Sequence, residues 1–253
     1  MILRRLSKHV KDQNWFAVVL DFLIVVFGII IGLQVTNWSE AKAFDAKETK
    51  LLHELKQELE ASIRVTNQKR DAFTQVTEAG KRSLDFIARG ESCETECWPI
   101  VVDFFHASQW QPIDVNQSTY EEMRRQGLPQ SREIIDAVEA YLAQNVNLAS
   151  TQILPAYRSR VRQMIPVNAQ AYYWETCFDL DNGAETYVLD CPKGASDDVS
   201  AQTVDKILNS PDIEPFLTEW IGLMSATPSD LGEQNEAAKR AIKTINQELR
   251  RRR

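Results

Sequence analysis

The hydrophobic pattern of the chain begins with one long apolar run, from Trp15 to Val35 (WFAVVLDFLIVVFGIIIGLQV). An α-helix rises about 1.5 Å per residue, so this run covers the roughly 30 Å hydrocarbon core of a bilayer. Trp15 and Trp38 flank it, and tryptophan is typical of the membrane–water interface because its ring is apolar and its N–H is polar. The pattern predicts a transmembrane helix over residues 15–36. The alternative, a buried core helix, gains nothing, since Asp21 is as unfavourable there as in lipid.

The charges on either side of this run predict its orientation. Residues 1–14 hold four basic residues and one acidic residue, a net charge of +3, whereas the residues after the run have mixed signs. The positive-inside rule therefore predicts a cytoplasmic tail over 1–14 and an exported part over 37–253, which is periplasmic in a Gram-negative bacterium. We expect a single-pass protein of the bacterial inner membrane.

The acidic balance of the chain restricts its partners. The whole chain carries a net charge of −7, and subtracting +3 for residues 1–14 and −1 for Asp21 leaves −9 for the exported part. This balance argues against nonspecific nucleic-acid binding, which needs basic surface.

A cleaved signal peptide is the alternative to a membrane anchor. Ala41-Lys42-Ala43 matches the small-x-small cleavage pattern. However, the apolar run is longer than the roughly 7–15 residues of a typical signal-peptide core, and the polar stretch 34–42 separates the run from that site. We expect an uncleaved signal anchor.

One face of the predicted span combines small and polar residues. With about 100° of rotation per residue, Asp21, Gly28 and Gly32 fall close together, and Val25 and Val35 share their stripe. Gly28 and Gly32 form a G-x-x-x-G pattern, which allows a second helix to approach closely. The pattern predicts that this face packs against another membrane helix, from a second copy or from a different protein. The alternative is a lipid-facing stripe with Asp21 hydrated from the cytoplasmic side.

The four cysteines lie in the predicted exported part and are expected to form disulfides. Between Cys177 and Cys191 the sequence FDLDNGAETYVLD predicts a β-hairpin, because Asn182-Gly183 suits its turn and the residues after it favour a strand. A hairpin brings its ends together. Of the three possible connectivities we therefore favour Cys177–Cys191 with Cys93–Cys97.

Two metal sites are conceivable in the same region. The Cys93-Cys97 pair with His106 could bind zinc, but C-x₃-C lacks a second pair at the usual spacing. Asp179, Asp181 and Asn182-Gly183 are similar to part of a calcium loop, although the glycine comes one residue early for an EF-hand. We expect no metal and no cofactor.

The rest of the exported part shows mainly helical periodicity. A stripe that includes Leu52, Leu59 and Phe73 predicts a long helix from Ser39 to about Ala88, with Gly90 as its stop. The expected fold class is mostly α: one transmembrane helix, a long stalk-like helix, and a helical bundle with a small disulfide-closed β-hairpin. Further helices are predicted over Thr119–Gln126 (with Ser118 as N-cap, Glu121 completing a capping box and Gly127 as stop), Ser131–Ala143, Asn147–Ile165, Ala169–Trp174, Pro211–Leu223 and from about Ser229 to the end, and a strand over Pro99–Phe105.

A search for catalytic chemistry gives a negative result. The chain has no G-x-S-x-G elbow, no P-loop and no H-E-x-x-H motif, and no spacing fixes a carboxylate partner for His53 or His106. We therefore expect no enzyme and no catalytic residues. One aromatic set is expected in the core, with a ligand pocket within the bundle as the alternative: Trp98, Trp110, Tyr172, Tyr173, Trp174 and Trp220.

The chain ends in four arginines, Arg250, Arg251, Arg252 and Arg253. Such a run is usually a solvated tail. If the last helix packs antiparallel to the long one, the arginines descend towards the bilayer, where they complement the negative helix end and meet anionic lipid headgroups.

The chain resembles a family of uncharacterised bacterial single-span membrane proteins that carry a domain of unknown function. The resemblance covers roughly the first 175 residues and implies anchoring and a helical exported domain, without a known activity. It rests on Asn14-Trp15, Ile24-Val25-Val26-Phe27-Gly28, Gly32-Leu33-Gln34 and Asn37-Trp38, on Thr119-Tyr120-Glu121-Glu122-Met123 with Gly127 (family members usually have leucine in place of Met123), and on Tyr172-Tyr173.

Two function classes remain. The first is a structural or accessory protein that binds another membrane protein, or a second copy of itself, through its span and helical domain. The second is an extracytoplasmic ligand-binding or sensory module that signals through a partner.

Overall fold

The computed structural model describes residues 15–113, 115–144, 154–181 and 184–252, and 76% of them are helical. The chain divides into two compact units, Met1–Leu51 and Leu52–Arg253. The mostly helical class is confirmed.

Helix α1 (Trp15–Arg89) is 75 residues long and contains the apolar run. The described part of the chain holds one helix that is long and apolar enough to cross a membrane, with a mean hydropathy of 1.9 in its most apolar window. No side chain in that window is buried, and Phe22, Ile24 and Ile31 are 60–65% exposed. An apolar surface of this kind is unfavourable in water and is compatible with a position in lipid.

The later part of α1 supplies one wall of the core. Leu52, Leu55 and Leu59 are buried in the predicted stripe, and so are Phe73 and Val76. The helix runs through Ser39 without a new start, ends at Arg89 and is followed by Gly90 with φ +64°, which confirms the predicted stop.

Eight helices and two strands follow α1 in the described part of the chain. They are α2 (Trp98–Ala107), α3 (Ser118–Arg125), α4 (Arg132–Ala143), α5 (Ala156–Arg162), α6 (Val167–Thr176), β1 (Phe178–Asp181), β2 (Ala184–Tyr187), α7 (Asp197–Leu208), α8 (Ile213–Met224) and α9 (Thr227–Arg251).

The strand predicted over Pro99–Phe105 is wrong, because these residues belong to α2. The segment is a short apolar run, and such a run does not distinguish a buried strand from a buried helix. Pro99 lies in the first turn, where proline is well tolerated because its missing N–H has no helical partner. Seven of the ten residues of α2 are buried, so the tertiary core determines its conformation.

The predicted N-cap of α3 is also wrong. The helix begins at Ser118, with Gln117 as the flanking residue. A side chain from α1 replaces the local cap: Glu58 Oε2 accepts hydrogen bonds from Ser118 Oγ (3.0 Å) and from the backbone N (3.1 Å) and Oγ1 (2.7 Å) of Thr119. The expected capping-box residue Glu121 instead accepts from the side chain of Gln117.

Among the remaining predictions, α4, α6, α8 and α9 lie close to their expected positions. The helix expected over Asn147–Ile165 begins only at Ala156, and residues 147–153 lie outside the described part. Helix α7 was not predicted, although Ser196 is a conventional N-cap that accepts a hydrogen bond from the Val199 backbone N.

The predicted hairpin is confirmed. Strands β1 and β2 pair antiparallel, with Phe178 opposite Tyr187 and Leu180 opposite Glu185. The proposed turn residues Asn182-Gly183 lie outside the described part.

Helix α9 packs along α4 within the second unit. Three contacts give its direction: Arg251 pairs with Glu133 at the start of α4, Tyr141 at the end of α4 bonds Ser62, and Asn235 early in α9 bonds Asn67. Helix α9 therefore runs antiparallel to α1, and its C-terminus lies towards the Leu52 end of this unit.

Candidate functional site

The structure forms both of the favoured disulfides. Cys93 pairs with Cys97 and Cys177 with Cys191, at Cα–Cα distances of 5.7 and 5.3 Å. The pairs are compatible with an oxidising compartment. In this arrangement the sulfurs of Cys93 and Cys97 are bonded to each other, and disulfide sulfurs are not thiolate ligands for zinc. Among the described residues no group of three or more His, Cys, Asp or Glu is arranged to hold a metal ion.

The predicted association face of the span is open along its described length. Val25 and Val35 are each 59% exposed, and a Cβ added at Gly28 or Gly32 would meet nothing within 4 Å. The side chain of Asp21 lies outside the described part. None of the described residues therefore covers the G-x-x-x-G groove, and helix association stays a prediction.

Acidic residues of the second unit engage part of the C-terminal arginine run. Arg252 Nε lies 2.7 Å from Glu248 Oε1, and Arg251 Nη1 lies 3.5 Å from Glu248 and 3.9 Å from Glu133. Arg250 is exposed, and Arg253 lies outside the described part. Contact with lipid headgroups stays a prediction, and Arg250 and Arg251 are the exposed arginines in the described part of the run.

Most of the predicted aromatic core is confirmed. Trp98, Tyr173 and Trp220 are 1–3% exposed, while Trp174 and Tyr172 are partly buried against the same core. His106 is 1% exposed and lies edge-on to the ring of Tyr187, with the ring centres 4.5 Å apart. Burial, and secondarily the positive charge of Arg82, lower the pKa of His106 to about 3, so it is a neutral core residue.

Polar groups converge inside this core at the C-terminal end of α2. The last carbonyls of a helix lack helical partners, and here side chains from α5 and α8 supply them. Tyr157 Oη donates to the Phe104 carbonyl, Trp220 Nε1 to that of Ala107 and Arg158 Nη1 to that of Ser108, each at 2.9 Å. The end of α2 is thus capped by distant residues.

A second arginine lies beside this cap, one helical turn further along α5. Arg162 Nε donates to Ser108 Oγ and Nη2 to Gln109 Oε1, both at 2.9 Å. Its guanidinium lies 4.5 Å from the ring centre of Phe105 and 5.2 Å from that of Trp174, within the range of cation–π attraction. We name Arg158, Arg162, Ser108, Gln109 and Tyr173 the arginine cluster.

The electrostatics of the arginine cluster are unusual. Burial, followed by repulsion from Arg158, lowers the pKa of Arg162 to about 9, and burial also lowers the pKa of Arg158. Neither arginine forms an ion pair with a described residue. The carboxylate that acts on both from a distance is Glu185, which accepts a 2.7 Å hydrogen bond from Tyr187 Oη.

The arginine cluster was not predicted, yet the sequence carries a signal for it. No Asp or Glu occurs between Glu139 and Glu175, although the chain has 36 acidic residues, and that stretch contains Arg158, Arg160 and Arg162. The spacing of Arg158 and Arg162 places both on one side of a helix. What the sequence could not reveal is that this side faces the end of α2.

Comparisons of the chain with protein-family models, with curated proteins and with solved structures give no match.

Proposed function

We propose that the chain is a single-span protein of the bacterial inner membrane that works as a structural or accessory protein. Residues 15–36 anchor it, residues 1–14 face the cytoplasm, and 37–253 form a periplasmic part consisting of a stalk-like helix and a helical bundle. Through its span and its helical domain it binds another membrane protein or a second copy of itself.

The observation that carries this proposal is the uncovered apolar surface of α1. Large apolar side chains such as Phe22, Ile24 and Phe27 are exposed on different sides of the helix, and lipid is the environment in which that surface is favourable. The open groove at Gly28 and Gly32 suits close approach by a second helix, which gains packing contacts there without a penalty from intervening side chains.

Three further features support the proposal. The basic residues of 1–14 favour a cytoplasmic N-terminus. The two disulfides suit an oxidising compartment on the other side of the membrane. The resemblance to single-span bacterial proteins agrees with both and stays a prediction itself.

The proposal is tested by purifying the full chain in mild detergent and identifying the proteins that accompany it by mass spectrometry. We expect a stoichiometric membrane protein or a defined oligomer of the chain. Gly28→Leu and Gly32→Leu should each reduce that association, because the added side chain fills the groove. Ile30→Leu is the matched control, since residue 30 lies on the opposite side of the helix from both glycines.

Association that is unchanged in both glycine variants would show that this face contacts only lipid. A chain that purifies as a monomer without a partner would contradict the accessory function itself.

The arginine cluster favours a second candidate, an extracytoplasmic ligand-binding or sensory module. Partly exposed guanidinium groups without an ion pair are a common way to bind anions. A module of this kind would pass its signal through a partner helix, so the two candidates are compatible.

A further inference from the structure

The arginine cluster holds more hydrogen-bond donors than acceptors. Arg158 uses only Nη1, and Arg162 uses only Nε and Nη2, so Nε and Nη2 of Arg158 and Nη1 of Arg162 make no hydrogen bond to a described residue. Both side chains are only partly buried. Solvent-borne molecules can therefore reach the cluster without unfolding of the domain.

Gln109 and Tyr173 form the buried side of the arginine cluster. They are 0% and 1% exposed, and their side chains interact with each other. Gln109 Oε1 accepts a hydrogen bond from Arg162 Nη2, and the ring centre of Phe105 lies 4.4 Å from that of Tyr173 and 4.5 Å from the guanidinium of Arg162. The donors that a molecule from solvent can reach are therefore those of the two arginines.

Capping of α2 accounts for one of the two arginines only. Tyr157, Trp220 and Arg158 already serve the last carbonyls of α2. Arg162 touches no backbone carbonyl and bonds only the neutral side chains of Ser108 and Gln109. Its charge is therefore additional to what the helix end requires.

The charge balance points the same way. Like charges one turn apart on a helix repel each other, and the C-terminal end of α2 offers only about half a negative charge to offset two guanidiniums. Glu185 supplies one further negative charge without touching either arginine. A bound anion would complete the neutralisation.

We propose that Arg158 and Arg162 bind the carboxylate of a small organic acid. The planar fork of a guanidinium matches two carboxylate oxygens. The partly exposed ring of Trp174 beside Arg162 suits the carbon part of such an acid better than it suits phosphate or sulfate. The inference assigns a ligand class to the second candidate function and is independent of partner binding through the span.

The test uses the full chain in detergent with succinate and benzoate as probes. Binding is measured by calorimetry, and the melting temperature is measured against chloride, sulfate and phosphate at equal ionic strength. We expect one or both carboxylates to bind and to raise the melting temperature above its value in the inorganic salts. Arg158→Gln and Arg162→Gln should each weaken binding about tenfold, because each removes charge-assisted hydrogen bonds.

Arg160→Gln is the matched control, since Arg160 lies on the same helix but pairs with Asp212. It should bind the probes as the unaltered chain does. Arg162→Lys keeps the charge without the planar fork, so it should fold even if Arg162→Gln does not, and it should bind less tightly than arginine.

Equal stabilisation by sulfate or phosphate would overturn the carboxylate assignment. Absence of binding to the unaltered chain, or equal loss of binding in Arg160→Gln and Arg162→Gln, would overturn the site. None of these results bears on co-purification through Gly28 and Gly32, so failure of this inference is distinct from failure of the proposed function.

Discussion

Glu58 joins α1 to α3, and its removal is expected to destabilise the second unit. Its Oε2 accepts three hydrogen bonds from Ser118 and Thr119, at 2.7–3.1 Å, at the N-terminus of α3. A hydrogen bond to a charged group contributes about 1.5–3 kcal/mol when well formed, and the negative charge at a helix N-terminus adds about 0.3–1 kcal/mol. The three bonds share one oxygen of a partly exposed side chain, so they do not add fully.

We therefore expect Glu58→Ala to lower the free energy of unfolding by about 2–3 kcal/mol. Glu58→Gln, which keeps an acceptor but loses the charge, should cost about 1 kcal/mol. For a domain of this size, 1 kcal/mol corresponds to about 2–4 °C in melting temperature. Glu58→Ala should thus melt about 4–12 °C below the unaltered chain.

The assay is thermal unfolding of the full chain in mild detergent, followed by circular dichroism at one scan rate. Glu60→Ala is the control, because Glu60 is 43% exposed and makes only a 3.7 Å surface pair with Lys56. Thr119→Val should lose less when it is added to Glu58→Ala than when it is made alone, since the two share one interaction. If Glu58→Ala and Glu60→Ala have the same melting temperature, the capping role of Glu58 is refuted.

Three further predictions follow from the packing, the buried histidine and the disulfides. Gly80→Ala should lower the free energy of unfolding by about 1–3 kcal/mol, because the new Cβ would overlap the side chain of Ile221. Gly222→Ala is the control, since a Cβ there meets open space and should be neutral or stabilising. Equal melting temperatures of the two variants would contradict the packing of Gly80 against Ile221. The pKa of His106 is about 3 in the folded chain and about 6.5 in the unfolded chain, so only the unfolded chain binds a proton there between these pH values. The free energy of unfolding should therefore fall as the pH drops from about 6.5 towards 3, by as much as about 1.4 kcal/mol per pH unit. His106→Gln should flatten the acid side of a plot of melting temperature against pH, and an unchanged plot would oppose the burial of a neutral His106. Peptide mapping without reductant should recover the disulfides Cys177–Cys191 and Cys93–Cys97. Four free thiols in protein protected from reduction would overturn both the pairing and the oxidising compartment.

The features that the sequence predicts correctly are those that local physics determines. The apolar run from Trp15 to Val35 needs no tertiary partner to be helical in lipid, and the hairpin closed by Cys177 and Cys191 depends on residues within one short segment. Gly90 ends α1 because its positive φ is a local property of glycine.

The features that sequence reasoning missed depend on distant residues. Pro99–Phe105 is helical because Val101, Val102, Phe104 and Phe105 pack into the core as one side of a helix, and this burial overrides the strand preference of valine and phenylalanine. The cap of α3 comes from Glu58, 61 positions before Thr119. Arg162 bonds Gln109 across 53 positions, so no window of sequence reveals the arginine cluster.

The central claim is that residues 15–36 anchor the chain in the membrane and that residues 37–253 are exported. It is tested most directly by fusing a periplasmic phosphatase, or in a parallel strain a reporter that is active only in the cytoplasm, after Arg253. We predict phosphatase activity in the membrane fraction that resists carbonate extraction, no cytoplasmic reporter signal, and loss of phosphatase activity when residues 15–36 are deleted. Activity of the cytoplasmic reporter fused after Arg253, or release of the phosphatase fusion from the membrane by carbonate, would contradict the account.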